Sequence, residues 1–188
     1  MIQFRDLRKD EIDCRVQSVT EKGAVLLLYK DARVDQNILD ETVGPHRWQR
    51  EHYECKGNMF CRVGIYCELP DNIYDWVWKS DCGTESFTEA EKGEASDSFK
   101  RACFNWGIGR ELYTAPFIWV PADKLNMRQK NNKPACYDKF EVEKILIEDK
   151  KITAISIINT SITDDNKKPL RVFVMAPPKA GKEQKNNA

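Results

Sequence analysis

Residues 60–79 read FCRVGIYCELPDNIYDWVWK, and what this stretch becomes decides what can be built around it. Cys61, Val63, Ile65, Cys67 and Leu69 alternate with Arg62, Gly64, Tyr66 and Glu68, the two-residue period of a strand with one covered face. Pro70-Asp71-Asn72 has the residue types of a tight turn, and Ile73–Lys79 returns as a second strand. Upstream, Trp48–Cys55 runs into Lys56-Gly57-Asn58, another turn signal. Three strands joined by short turns predict an antiparallel meander.

A long helix is expected next. Thr88-Glu89-Ala90-Glu91 is a capping-box sequence, and Ala95, Phe99, Ala102, Cys103 and Trp106 form one apolar stripe at helical spacing. Asp97, Lys100, Arg101 and Phe104 fall on the opposite side of the same helix. Gly107-Ile108-Gly109 then stops it, as left-handed glycine does at a helix C-terminus. Before the meander, Asp31 can cap a helix over Ala32–Val43, where Val34, Ile38, Leu39 and Val43 recur and Gly44-Pro45 ends the run. Arg15–Val19 and Gly23–Tyr29 are short apolar runs. After Pro116 come a strand-like FIWV and a polar basic loop from Lys124 to Pro134. Phe140–Ile147 and Ile152–Asn159, joined by EDKK, read as a hairpin, and Leu170–Met175 is one more strand signal.

The fold class expected is therefore α+β: an antiparallel β-meander packed on a long amphipathic helix (β-β-β-α), with an additional C-terminal hairpin at about 139–160. The whole of 1–176 is read as a single domain with its core at about 29–113. Residues 177–188, rich in lysine and asparagine, are read as a disordered basic tail.

Composition narrows the class further. At 41% hydrophobic residues the chain can bury an ordinary globular core, and no apolar run is long enough to span a bilayer. The start, MIQFRDLRKDEI, lacks the apolar centre of a secretion signal. Seven cysteines with no C-x-x-C pair read as reduced thiols of a cytoplasmic protein. Thirty basic residues balance thirty acidic ones, yet Pro121–Phe140 holds five basic against two acidic, so basic charge can gather locally.

Several motifs have a plain reading beside a functional one. Lys100-Arg101 fits a solvated helix face with Asp97 as its surface partner, but Phe104 beside the pair suggests a second contact surface. Tyr74, Trp76 and Trp78 either pack as core under a helix, the commoner fate, or offer their rings to bases. His46, His52, Cys55, Cys61 and Cys67 match no standard zinc spacing, so no metal is expected. Asp71 with Glu148-x-Lys150 resembles the acid-acid-lysine set of a metal-dependent nuclease, although Glu148-Asp149-Lys150-Lys151 reads first as an exposed turn. There is no nucleotide-binding G-x-x-x-x-G-K-[ST], and no cofactor is expected.

The stretches ARVDQNILDETVGPHRW, FCRVGIYCELPDNIYDWVWKSDCGT and TEAEKGEASDSFKRACFNWGIGRELY together resemble the Rad fifty-two family of single-strand DNA annealing proteins, closest to its short bacterial and phage members. The resemblance covers about Tyr29 to Tyr113 and is most specific from Glu94 through Gly109. It implies a protein of the bacterial cytoplasm, phage-encoded or not, that forms a homo-oligomeric ring and holds single-stranded DNA in a basic groove. Lys100 and Arg101 match the family's basic pair on the inner strand. Arg33 matches the arginine at the start of the first core helix, its spacing to Gly44 and Trp48 fitting within a residue. The family's outer, duplex-handling site finds no basic match near Asp81–Thr84. The long C-terminal half of the eukaryotic members is lacking, so recruitment through it is not implied; a host single-strand-binding protein stays open as a partner.

The residues agree with that implication on physical grounds. Annealing breaks no bond and consumes no nucleotide, so no enzyme is expected. It needs phosphates neutralised and held while base edges stay free to pair. Few contacts per protomer require many protomers side by side, with Phe104 and exposed strand edges as candidate subunit contacts. The alternatives are a nucleic-acid-binding module without annealing activity and a metal-dependent nuclease.

Overall fold

The computed structural model describes residues 2–84 and 90–177, without the side chains of 90–92. It divides into two compact units: Met1–Ile12 with Tyr29–Tyr113, and Asp13–Leu28 with Thr114–Ala188. The strands in chain order are β1 (Asp13–Thr20), β2 (Gly23–Tyr29), β3 (Trp48–Cys55), β4 (Asn58–Leu69), β5 (Ile73–Cys82), β6 (Ile118–Pro121), β7 (Met127–Lys130), β8 (Lys133–Cys136), β9 (Phe140–Glu148), β10 (Lys151–Thr163) and β11 (Pro169–Met175). The α-helices among the described residues are α1 (Ala32–Val43) and α2 (Ala90–Trp106).

The expected fold class does not describe this molecule. The structure is mostly β, 51% of it strand, and its largest feature is an antiparallel sheet that nearly closes on itself. That sheet has six strands in the order β11-β10-β9-β1-β2-β6. The segment read as an added C-terminal hairpin supplies its interior: β9 takes β1 as a second partner, with Asp13 opposite Glu141 and Cys14 opposite Phe140. The other extension is β2 on β6, from Gly23 opposite Pro121 to Leu26 opposite Ile118. Local periodicity identifies a strand and its covered face, but it does not name a partner about a hundred residues away, because register is set by whole-sheet burial. Register shifts in β10 at Ile152/Ala154 and Ser156/Ile157 strengthen the local twist, as bulges do, and help curl the sheet.

The basic stretch expected to be a loop is also a hairpin, β7 on β8. Asn131 and Asn132 turn it with φ of 51° and 58°, the left-handed pair of a type I′ turn. Glu148–Lys151 behaves likewise, Asp149 and Lys150 turning between β9 and β10 at φ 50° and 60°.

The first unit contains a separate three-stranded sheet, β3-β4-β5, and both helices. Cys61, Val63 and Ile65 are wholly covered, and so are Phe99, Ala102 and Cys103 of α2, which packs on β4 and β5. Full burial of Val63, Ile65 and Phe99 is worth about 1.5–3 kcal/mol each, so this contact is a main source of the unit's stability. Polar groups register the helix on the sheet: Trp106 Nε1 donates to Val63 O at 2.9 Å, and Glu94 Oε1 accepts the Met59 N–H at 2.8 Å. Gly83, just past β5, is needed for this approach, because a Cβ there would overlap the backbone of Glu94 and Ser98.

At its far end α2 closes in a Schellman motif. The Gly107 N–H bonds Phe104 O, the Ile108 N–H bonds Cys103 O, and Gly107 has φ +101°. The capping box expected at the start of α2 includes Thr88 and Glu89, which lie outside the described residues. The same holds for 178–188, most of the expected tail.

Candidate nucleic-acid interface

The side of α2 turned away from its buried stripe carries Lys100, Arg101 and Phe104, and each meets a different neighbour. Lys100 is half-buried, and its charge acts on two carboxylates of the α1 region, Asp31 and Asp35. Arg33, in the first turn of α1, is 82% exposed and folds back on Asp31, with Nε at 2.8 Å from Oδ1 and Nη2 at 3.2 Å from Oδ2. Asp31 Oδ1 also accepts the Arg33 N–H at 2.8 Å, which caps α1. The side-chain bond from Arg33 is the main reason the Asp31 carboxyl is held down to about 2. Asp31 is thus the partner of Arg33, and the charge of Lys100 adds a weaker pull on the same carboxyl.

Arg101 turns toward the end of β5, where its Nε lies 3.3 Å from Asp81 Oδ1. Asp97 and Tyr113 also act electrostatically on Arg101. Asp97, expected as its surface partner, accepts hydrogen bonds from the Thr84 N–H at 3.1 Å and the Thr84 hydroxyl at 3.2 Å. Phe104 is not a lone apolar side chain on a polar face. Its ring packs edge-on against Tyr113 at 4.8 Å, and Lys30 Nζ stands 4.7 Å above its centre.

Below this surface lies an ion pair that the sequence reading did not single out. Lys30 and Asp35 are both buried, and Lys30 Nζ donates to both Asp35 carboxylate oxygens. Burial pushes Asp35 up to about 6, against the pull of Lys30. Gly109, at φ +72°, leaves room for the pair, since a Cβ there would overlap the Lys30 stem and press on the Phe104 ring. A signal for the pair was available. Asp35 shares the buried stripe of α1 with Ile38 and Leu39, at i, i+3 and i+4, and a carboxylate in that register needs a partner.

Tyr74, Trp76 and Trp78 do not pack under α2, which corrects the commoner of their two readings. Their partners across the ladder are Glu68, Tyr66 and Gly64, on the face of β4 opposite to Cys61, Val63 and Ile65. Tyr66 to Tyr74 is 5.9 Å between ring centres, Tyr66 to Trp76 is 5.5 Å, and Trp76 to Trp78 is 6.0 Å. Arg62 lies 4.6 Å over Trp78, while its guanidinium pairs with Glu51. Tyr66 and Tyr74 are 38% and 50% exposed, so rings here are open to solvent.

Other candidate chemistry finds little support. Among the described residues no three His, Cys, Asp or Glu side chains gather as a metal site. Burial raises the thiols of Cys61, to about 11, and of Cys103, which makes both weak nucleophiles. No helix among the described residues is long and apolar enough to cross a membrane.

A family model, that of the Rad52/22 family double-strand break repair proteins, matches residues 4–133. The matched span takes in α1, β3–β5 and α2, with Arg33, Lys100, Arg101 and Phe104. No curated protein and no solved structure matches the chain.

Proposed function

The chain belongs to the Rad52/22 family of double-strand break repair proteins, and from that premise we propose that it holds single-stranded DNA by its phosphates and promotes ATP-independent annealing of complementary strands. Membership places it in DNA repair and recombination. The observation that carries the finer reading is the placement of Lys100 and Arg101 together on the side of α2 away from its buried stripe, with a largely exposed Arg33 in the first turn of α1. The Arg33 guanidinium already grips a carboxylate through two nitrogens, and a phosphate presents the same chemistry. Arg101 extends the basic surface along α2. Held on helices, these side chains grip phosphates without reading sequence, and base edges remain free for a second strand.

A single protomer offers few such contacts, so a homo-oligomeric ring is part of the proposal, with affinity summed over many protomers. Phe104, together with the 68% exposed Tyr113 against which it packs, is the proposed subunit contact. No bond is broken in this scheme and no cofactor takes part.

The test mixes complementary oligonucleotides with and without protein, with no nucleotide or metal present. Faster duplex formation is expected, together with its loss in Lys100→Ala/Arg101→Ala. Binding without acceleration would reduce the protein to a nucleic-acid-binding module. Strand cutting on addition of Mg²⁺ would point to a nuclease instead.

A further inference from the structure

Each arginine of the proposed clamp is already engaged by a carboxylate of the same chain. Arg33 makes a two-pronged contact with Asp31, the geometry a guanidinium also uses on phosphate. Arg101 meets Asp81 through Nε alone, and its side chain is 40% exposed. Neither carboxylate depends on the arginine for its position. Asp31 is fixed as the cap of α1 through the Arg33 backbone N–H, and Asp81 Oδ1 accepts the Cys82 N–H at 2.8 Å. If the guanidinium swings away, the negative charge stays where it is.

We infer that Asp31 and Asp81 are built-in competitors for DNA phosphate, holding Arg33 and Arg101 in the free protein and opposing the strand once it is bound. The inference rests on the phosphate-clamp reading of this site. Its consequence is a deliberately moderate grip. The bound phosphate gains the arginine but faces a carboxylate that cannot leave, so each contact is weaker than a bare guanidinium would give. That suits an annealing protein, which must release duplex after pairing. It also explains how a chain with as many acidic as basic residues can bind a polyanion and stay reversible: acidic charge is placed at the contacts themselves.

Asp31→Asn and Asp81→Asn test this, with Asp165→Asn, an exposed turn residue, as the control for net charge. Asparagine caps a helix about as well as aspartate, so α1 keeps its start. Binding of a poly-dT oligonucleotide is followed by anisotropy at low and at high salt. Each variant should bind about two- to five-fold tighter at low salt, the range of an exposed charge pair, and the gain should shrink as salt screens it. On an Arg101→Ala background, Asp81→Asn should give no more than the control. Tightening that matches the Asp165→Asn control, or that persists without Arg101, overturns the inference. Loss of binding in Lys100→Ala/Arg101→Ala alongside carboxylate variants that do not tighten removes the competition and leaves the clamp. No loss in Lys100→Ala/Arg101→Ala removes both.

Discussion

Asp31 and Asp35 lie about one helical turn apart at the start of α1, and each holds a basic side chain: Arg33 in one case, Lys30 in the other. The pairs use the same two kinds of charge, yet Arg33 is 82% exposed while Lys30 and Asp35 are both buried. In water an ion pair gains little and exchanges readily, with a typical worth of about 0–1 kcal/mol. In the interior neither charge can find another partner, and removing one strands the other at about 3–5 kcal/mol. The inner pair is therefore part of the fold, whereas the outer pair is available to a ligand. Phe104 separates the two roles, since its ring lies beside the Lys30 ammonium and its helix carries Lys100.

The largest expected effect breaks the inner pair. Lys30→Ala should lose about 3–5 kcal/mol in denaturant unfolding at pH 7, because the buried Asp35 carboxyl loses its partner and must stand uncompensated or take up a proton. A Lys30→Met/Asp35→Leu double variant should recover most of that loss, because apolar residues of similar volume need no partner. Equal destabilisation of single and double variants would show that packing, not charge, matters there.

Gly109→Ala should come next, at about 1–3 kcal/mol. The left-handed backbone at φ +72° is costly for any Cβ, and this one also meets the Lys30 stem. A variant as stable as the parent would mean that Lys30 and Phe104 can shift without cost.

Acid titration sharpens the contrast, since the two carboxylates have opposite signs. Asp35 is pushed up to about 6 by burial, so the folded protein keeps a proton that the unfolded chain releases near pH 4 (about). Its contribution is full below about pH 4 and is lost as pH rises through about 6. Asp31, held down to about 2 chiefly by the Arg33 side chain, contributes above about pH 4 and loses that as pH falls toward 2. Denaturation midpoints from about pH 2 to pH 7 should lose the first dependence in Asp35→Asn and the second in Asp31→Asn. The same slope in parent and variant would reassign the titration to other groups.

What the sequence showed and what it hid divide along the same line. Cys61, Val63 and Ile65 were legible because a strand with one covered face must alternate, and Phe99, Ala102 and Cys103 because a helix stripe must recur. Both are properties of a single element. The partnership of β1 with β9 and of β2 with β6 was not legible, because it is a property of two elements far apart in the chain. The same blindness affected the site. Lys100 and Arg101 were found as a basic pair on one helix, and Arg33 through resemblance. That Arg33 pairs with Asp31, while Arg101 belongs with Asp81, required the tertiary structure. Tyr74, Trp76 and Trp78 show the limit most simply: alternation groups them on one face but does not say which face the helix covers.

The smallest expected effect concerns those rings, and it decides how the strand is held. If phosphates carry the binding, Lys100→Ala/Arg101→Ala should leave the melting temperature near the parent value and weaken binding. The logarithm of affinity should fall against the logarithm of salt with a slope of about 0.7 per contact, and the double variant should lose slope accordingly. Trp76→Ala should then change affinity by about two-fold or less, well below the 1–3 kcal/mol (about) of a base stacked on an aromatic ring. Poly-dT and mixed sequences of equal length should bind alike. If bases instead lie on Tyr66, Tyr74 and Trp76, the spacing of 5.5–6.0 Å between successive rings would serve as their platform. Much of the affinity would then survive high salt, tryptophan fluorescence would be strongly quenched on binding, and Trp76→Ala would abolish both. One oligonucleotide titrated at several salt concentrations, with anisotropy and fluorescence read together, separates the two. A shallow slope with strong quenching would transfer the site from the helix surface of α2 to the open face of β4 and β5.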